Sequence, residues 1–465
     1  MIPSQTDKNE YENLFELCSK LRDENEQLKN RVKLLESQLI CLQSLTNMNS
    51  KPINVHSNLN VKSETTSELR NNNKLSLEEY LRYGRQLILP GFGISGQLKI
   101  KNKSILIVGA GGLGAPAAIY LAAAGVGNLG IIDYDSVESS NLQRQIIHNE
   151  SRIGISKAQS AKMTIQGLNP LCECVAYDLL LDSSNALDII KKYDIVVDAT
   201  DNAATRYLIN DACVLTGKPL VSGSALRMDG QLAVYNYRGG PCYRCIFSKP
   251  PPPETILNCD DGGVLGVVTG VIGCLQALQA IKIAADMNDD GISQSLLIFS
   301  ANSNPLFRSV KLRSKKPDCV MCSNNPTITT LQDYVQFCGS GALDKSPSVK
   351  LLDDDERVDP KSYHALRAKG IPHILVDVRE PVQFDICNLP GSLNIPLNEL
   401  SKKVDLIQQS LPSSVAPGVI AITILGNDSQ LAVQILRKTL QGEIKDVVGG
   451  LYRWAKDVDH EFPIY

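Results

Sequence analysis

The sequence predicts an α/β fold: a doubly wound, mainly parallel Rossmann-like sheet followed by a second, smaller α/β unit. Three observations carry this. Short β-rich runs alternate with helical stretches between residues 75 and 328, the pattern of strands joined by crossover helices. One run, Ser104-Ile105-Leu106-Ile107-Val108, is apolar except at its first residue, as a buried strand is, and leads straight into Gly109-Ala110-Gly111-Gly112-Leu113-Gly114. After a charged break at residues 353–356 the alternation resumes and continues to Tyr465.

The elements follow in order. Leu14, Leu21, Leu28, Leu35 and Leu42 recur every seven residues, with Cys18, Asn25, Val32, Leu39 and Thr46 four positions further on, so residues 1–48 are expected to form a coiled coil. Residues 49–74, rich in Asn, Ser, Thr and Lys, are expected to be a flexible linker. Within 75–328, strands are expected at 104–108, 129–132, 194–198 and 219–222, and an antiparallel one at 231–237. The second unit, 345–465, has expected strands at 373–378 and 419–425.

Composition narrows the function. A chain of 465 residues suits two or three domains, and 43% hydrophobic residues suffice for real cores. A net charge of -3 argues against electrostatic capture of nucleic acid or an anionic membrane. The apolar stretch 264–283 is interrupted by Gln276, Gln279 and Lys282, so it reads as a buried helix rather than a membrane span. No apolar run follows Met1, so no secretory signal is expected, and the expected location is the cytosol. Thirteen cysteines, several in Cys-x-x-Cys pairs, then favour metal or thiol chemistry over a disulfide framework.

The glycine loop points to a nucleotide. Gly109, Gly111, Gly112 and Gly114 permit a tight turn and close approach of backbone to a phosphate, and the helix that follows offers free N–H groups. Asp133, ending the next strand, lies where an acidic side chain meets a ribose hydroxyl. Taken alone, the fingerprint suits an NAD-linked dehydrogenase equally well. Downstream come Ser140-Asn141-Leu142-Gln143-Arg144, then Lys157, then Asp201-Asn202. Arg144 and Lys157 are placed to neutralise a departing pyrophosphate and Asp201 to hold Mg²⁺, a set that phosphoanhydride chemistry uses and hydride transfer does not.

Cys242-Tyr243-Arg244-Cys245 and Cys319-Val320-Met321-Cys322 offer four thiolates, enough for a closed, structural zinc site. Cys259 follows the prolines at 250–253 and precedes Asp260-Asp261-Gly262-Gly263. A thiol on such a loop could displace AMP from an acyl-adenylate, although the neighbouring carboxylates would raise its pKa; a loop cysteine without a role is the other reading.

From Arg82-Tyr83-Gly84-Arg85-Gln86 through Cys322 the chain resembles the ubiquitin-activating-enzyme-like adenylyltransferases. With its C-terminal unit it is similar to the adenylyltransferase–sulfurtransferase family of molybdenum cofactor synthesis and tRNA thiolation. The resemblance implies ATP-dependent adenylation of the C-terminal Gly-Gly of small ubiquitin-fold sulfur carriers: the small subunit of molybdopterin synthase and the ubiquitin-related modifier. It implies ATP contacts from Gly112, Asp133, Ser140, Asn141, Leu142, Gln143, Arg144, Lys157, Asp201 and Asn202, and Arg85 reaching the triphosphate from the other subunit of a homodimer. It implies zinc at the four knuckle cysteines and makes Cys259 the adenylation domain's catalytic thiol. A sulfur donor such as a cysteine desulfurase is the further partner expected. A non-catalytic scaffold and an oxidoreductase remain as competing readings, separable by ATP turnover and by NAD binding.

In the second unit, Val376-Asp377-Val378-Arg379-Glu380, Leu389-Pro390-Gly391-Ser392 and Asp446-Val447-Val448-Gly449-Gly450 resemble a rhodanese domain. The resemblance places a persulfide cysteine where this chain has Thr423, at the start of Thr423-Ile424-Leu425-Gly426-Asn427-Asp428. A threonine hydroxyl neither carries sulfane sulfur nor ionises near neutral pH. Three readings follow: a docking module without sulfur chemistry, sulfur delivered through another protein or cysteine such as Cys387 or Cys338, or residual activity.

Overall fold

A computed structural model describes residues 74–251, 262–287, 294–339, 351–410 and 418–465. The expected coiled coil, the linker up to residue 73 and Cys259 lie outside the described residues.

Eight strands make the first sheet: β1 (Ser104–Val108), β2 (Asn128–Ile132), β3 (Glu173–Tyr177), β4 (Ile195–Asp198), β5 (Leu220–Leu226), β6 (Asp229–Tyr235), β7 (Ser295–Ser300) and β8 (Phe307–Lys311). Their order is β3-β2-β1-β4-β5-β6-β7-β8. Pairings from β3 to β5 are parallel, and those from β5 to β8 antiparallel. The five parallel strands, including the expected β1, β2, β4 and β5, are the doubly wound half.

Alternation along β1 explains the layering. Ile105 and Ile107 point to one face, where they pack with residues of the helices Gly93–Lys101, Gly114–Ala124, Lys157–Leu168 and Gly266–Ala284. Leu106 and Val108 point to the other, against the helices Ala186–Ile190, Ala203–Thr216 and Tyr334–Cys338. Burying each such side chain is worth about 1.5–3 kcal/mol, so a strand covered on both faces needs the continuous apolar run seen here. The helix Gly266–Ala284 is long and apolar enough to cross a membrane, but it lies against β5, β6 and the helix Gly114–Ala124 with half its apolar window buried.

The second sheet is parallel, with β9 (Arg357–Val358), β10 (His373–Asp377), β11 (Leu393–Asn394), β12 (Gly418–Ile422) and β13 (Ile444–Val447) in the order β11-β10-β12-β13-β9. One face packs Val419 and Ala421 with Ala432, Val433 and Leu436 of the helix Asp428–Leu436; the other packs Ile420 and Ile422 with Tyr363 and Trp454.

Several details differ from expectation. The strand expected at 419–425 ends at Ile422, because Thr423 begins a turn whose Gly426 has a φ of +84°. β3, β7 and β8 were not foreseen: β3 is buried at one of its five positions and β8 at none, so neither shows the continuous burial of a central strand. Packing on the second face of the large sheet extends through Tyr334 and Cys338, past residue 328.

Candidate functional site

The large sheet reverses its strand order between β1 and β4, and the crevice at the carboxyl ends of these strands is where α/β sheets bind ligands. Gly109 to Gly114 leave β1 there, residues 199–202 leave β4, and Asp133 follows β2. Gly109 has a φ of +98°, and a Cβ on it would lie 2.7 Å from the Ala199 carbonyl oxygen. Gly114 is required by contact, since a Cβ would fall 1.8 Å from the Gly109 carbonyl oxygen.

The loop is held by polar side chains. Asp133 Oδ2 accepts from the Ala110 N–H at 2.8 Å and Oδ1 from the Asp135 N–H at 2.9 Å. Burial pushes the Asp133 carboxyl above its ordinary value, with Lys157 and these N–H groups opposing. Lys157, buried, donates from Nζ to Asp135 Oδ2 at 3.0 Å. Asp201 is exposed, and its charge, with those of Asp135 and Asp133, adds to the burial that raises the Tyr134 phenol pKa. Asn202 caps the helix Ala203–Thr216, its Oδ1 accepting from Thr205 N–H at 2.9 Å.

The residues 140–145 fold against the start of the helix Gly266–Ala284. A Cβ on Gly266 would lie 2.4 Å from the Gln143 carbonyl oxygen, and one on Gly112 would lie 2.7 Å from Thr269 Oγ1 of the same helix. Arg144 donates from Nη1 to the Ser140 carbonyl at 3.1 Å, and Asn141 Oδ1 accepts from Glu138 N–H at 3.1 Å. Ser140 and Gln143 are exposed and Leu142 is half-buried. Arg85 is exposed near the end of the helix Leu77–Leu87.

Three features were missed by sequence reasoning. Asp198, fully buried at the end of β4, accepts from Arg206 Nε at 3.0 Å, Ser222 Oγ at 2.7 Å and Thr200 Oγ1 at 2.6 Å. Gln145 is buried with an Oε1 that has no partner among the described residues, and its Nε2 lies nearest to where a Gly111 side chain would be. His148 is buried between Ser160 and Ala110. A carboxylate ending an apolar strand demands partners, which was the available signal for Asp198; the other two carried none.

The site fits a nucleotide. The N–H groups of Gly111, Gly112 and Leu113 have no acceptor among the described residues, and such donors at the start of a helix suit a phosphate.

The knuckle cysteines converge. Cys242, Cys245, Cys319 and Cys322 are buried, with sulfurs all within 4.8 Å of one another. Sγ–Sγ distances are 3.9 Å for Cys242–Cys245, 3.6 Å for Cys242–Cys319 and 3.4 Å for Cys245–Cys322. Zn–S bonds of about 2.3 Å in a tetrahedron put sulfurs about 3.8 Å apart, so the four thiols fit zinc with no open position. Beside them Arg244 forms a buried pair with Asp211 at 2.7 Å, and Tyr334 donates to Asp211 at 2.8 Å. Cys172, Cys174 and Cys338 are packed thiols, pushed up by burial to about 12, 11 and 11.

In the second sheet, Thr423 is buried directly after β12. Its carbonyl accepts from Leu451 N–H at 2.8 Å and that of Ile424 from Tyr452 N–H at 3.0 Å. The Gly426 carbonyl accepts from Gln430 Nε2 at 2.9 Å, while Arg357 forms two 2.8 Å bonds with the fully buried Asp446, which also accepts from Ser429 Oγ. The turn is therefore held from outside by its carbonyls. Cys387 lies elsewhere, buried with its sulfur 3.9 Å from Arg379 Nη1.

Residues 83–321 match the ThiF family and residues 359–457 the Rhodanese-like domain. The chain is similar to the adenylyltransferase and sulfurtransferase MOCS3 of Drosophila yakuba, 53% identical over 395 residues that span 84% of this chain and 86% of that one. The protein of the same name from Aedes aegypti is 51% identical over 397 residues, 84% of this chain and 90% of that one. The one from Danio rerio is 48% identical over 454 residues, 94% and 98% of the two chains.

Proposed function

The chain belongs to the ThiF family and carries a rhodanese-like domain, and on that premise we propose that it adenylates the C-terminal Gly-Gly of small ubiquitin-fold sulfur carriers. The carriers are then thiocarboxylated, for molybdenum cofactor synthesis and for thiolation of the tRNA wobble uridine. The observation that supports the reading is the β1 loop, whose Gly111, Gly112 and Leu113 N–H groups have no acceptor among the described residues, at the carboxyl end of β1 where the strand order reverses.

A carboxylate is a poor electrophile until it is given a leaving group. A terminal oxygen of the carrier attacks the α-phosphorus of ATP, the bond from that phosphorus to the pyrophosphate oxygen breaks, and an acyl-adenylate and pyrophosphate result. In this reading the loop N–H groups and Arg144 receive the charge on the phosphates, Asp201 holds Mg²⁺, and Asp133 faces the ribose while anchoring the loop. Gly109, Gly111, Gly112, Gly114, Ser140, Asn141, Leu142, Gln143, Lys157 and Asn202 complete the pocket, with Arg85 supplied by the second subunit of a homodimer. No general base is needed, since the attacking carboxylate is already ionised. Zinc at the four cysteines is structural, Cys259 is the thiol that receives the activated carrier, and the enzyme works in the cytosol.

Thr423 favours a second reading for the C-terminal domain. With no thiol at that position, sulfur reaches the adenylate from another protein, a cysteine desulfurase being the donor class, and the rhodanese-like domain docks partners.

Carrier-dependent pyrophosphate exchange tests the first reading. Arg144→Ala and Asp201→Ala are each expected to reduce it about 10²–10³-fold, and exchange that persists in both would sink the site assignment. The mass of a Gly-Gly-ending carrier after incubation with MgATP and thiosulfate tests the second. An adenylate alone supports an external donor, and a thiocarboxylate requires another thiol in this chain.

A further inference from the structure

The loop after β1 works only if its N–H groups face the crevice, and backbone alone does not decide which way a glycine-rich peptide turns. Two successive peptide planes are fixed here by side chains on either flank of Ala110. Asp133 takes the Ala110 N–H at 2.8 Å, which sets the first plane. His148 Nε2 lies 3.0 Å from the Ala110 carbonyl oxygen, which sets the second. In a trans peptide the C=O and N–H point in opposite directions, so drawing the Ala110 carbonyl towards His148 turns the Gly111 N–H away from it. That N–H has no acceptor among the described residues.

The tautomer follows from the partners. A carbonyl oxygen only accepts, so Nε2 carries the proton, and Nδ1 then accepts from Ser160 Oγ at 2.9 Å. Ser160 is fully buried and His148 nearly so. Burial, reinforced by Lys157 and Arg152 and opposed by the bond to Ala110, pushes the imidazole down to about 4, so it stays neutral at physiological pH.

We infer that His148 is a positioning residue for nucleotide binding: a neutral strut from Ser160 to the Ala110 carbonyl that aims the Gly111 N–H at the phosphates. The inference rests on the ATP reading above. It assigns His148 no contact with substrate and no proton transfer.

Two amide substitutions separate positioning from mere packing. In His148→Gln the amide nitrogen reaches the place of Nε2 and still donates to Ala110. In His148→Asn the shorter amide reaches only the place of Nδ1, which preserves the bond to Ser160 and abandons Ala110. MgATP affinity of the full chain is measured without carrier, alongside KM for ATP and kcat of exchange, and the unfolding midpoint. The expected result is an affinity within about twofold of wild type for His148→Gln. For His148→Asn a loss of about tenfold is expected, expressed in KM rather than kcat. Ser160→Ala, a milder change, is expected to weaken MgATP a few-fold in the wild-type background and not at all in His148→Gln. Equal ATP affinity in the two amide variants, or a difference confined to the unfolding midpoint, overturns the inference. Wild-type protein that binds no MgATP instead overturns the reading beneath it.

Discussion

Two loops in this chain share a design and differ in outcome. The one after β1 and the one after β12 each leave a parallel strand, turn through a glycine at positive φ and enter a helix. Each is secured by buried or half-buried side chains: Asp133 and His148 for the first, Arg357, Asp446, Ser429 and Gln430 for the second. The first leaves the Gly111, Gly112 and Leu113 N–H groups without an acceptor among the described residues, while the second has Thr423 where its family resemblance expects a thiol. The shape of such a loop is a property of many residues and survives the loss of one. Its chemistry here hangs on a single sulfur.

The largest expected effect comes from giving that sulfur back. Thr423→Cys is predicted to acquire a persulfide when incubated with thiosulfate: the thiolate attacks the sulfane sulfur, the S–S bond of thiosulfate breaks, and sulfite departs. Intact mass would show one added sulfur atom in the variant and none in the parent. A variant that gains none would mean that the second loop has lost more than one atom, and the comparison fails. The next effect probes how that loop is held. Arg357→Met strands the fully buried Asp446 carboxylate and is expected to cost about 3 kcal/mol, measured by urea unfolding. A cost below about 1 kcal/mol would place the support of this loop elsewhere.

The smallest effect concerns the first loop. The His148 imidazole titrates lower in the folded chain than its ordinary 6.5, at about 4. The unfolded chain therefore takes up the proton first, and stability is lost as pH falls from about 6.5 towards 4. The expected loss at pH 5 is about 1–2 kcal/mol, and His148→Gln should flatten that part of the urea-midpoint profile. An unchanged slope would assign the acid sensitivity to other groups.

Much of this was legible in the sequence. The apolar runs of β1 and β4 and the six-residue glycine loop announced the nucleotide crevice, because burial on both faces and a tight turn leave few choices of residue. The two Cys-x-x-Cys pairs suggested a four-thiol cluster that could hold a metal, although the long gap between them left packed or redox cysteines as the other reading, and the four sulfurs do converge. β8 was illegible because it is exposed along its length, so its ladder with β7 rather than any apolar face defines it. His148 and Gln145 were illegible for a different reason. His148 bonds to Ser160 and Ala110, 12 and 38 residues away, and Gln145 is a buried amide inside a loop, so neither leaves a local pattern.

The two cysteine knuckles have a consequence for the birth of the protein. Cys242 and Cys319 are 77 residues apart in sequence. At a synthesis rate of roughly 5–20 residues per second, the first pair of thiols emerges from the ribosome roughly 4–15 s before the second. During that interval the nascent chain carries two of the four thiols, exposed to oxidation, and closure of the cluster must wait for Cys322. The crevice waits as well: β1, β2, β4 and β5 all precede the first knuckle, but the helix Gly266–Ala284, against which residues 140–145 fold, lies between the two knuckles in sequence.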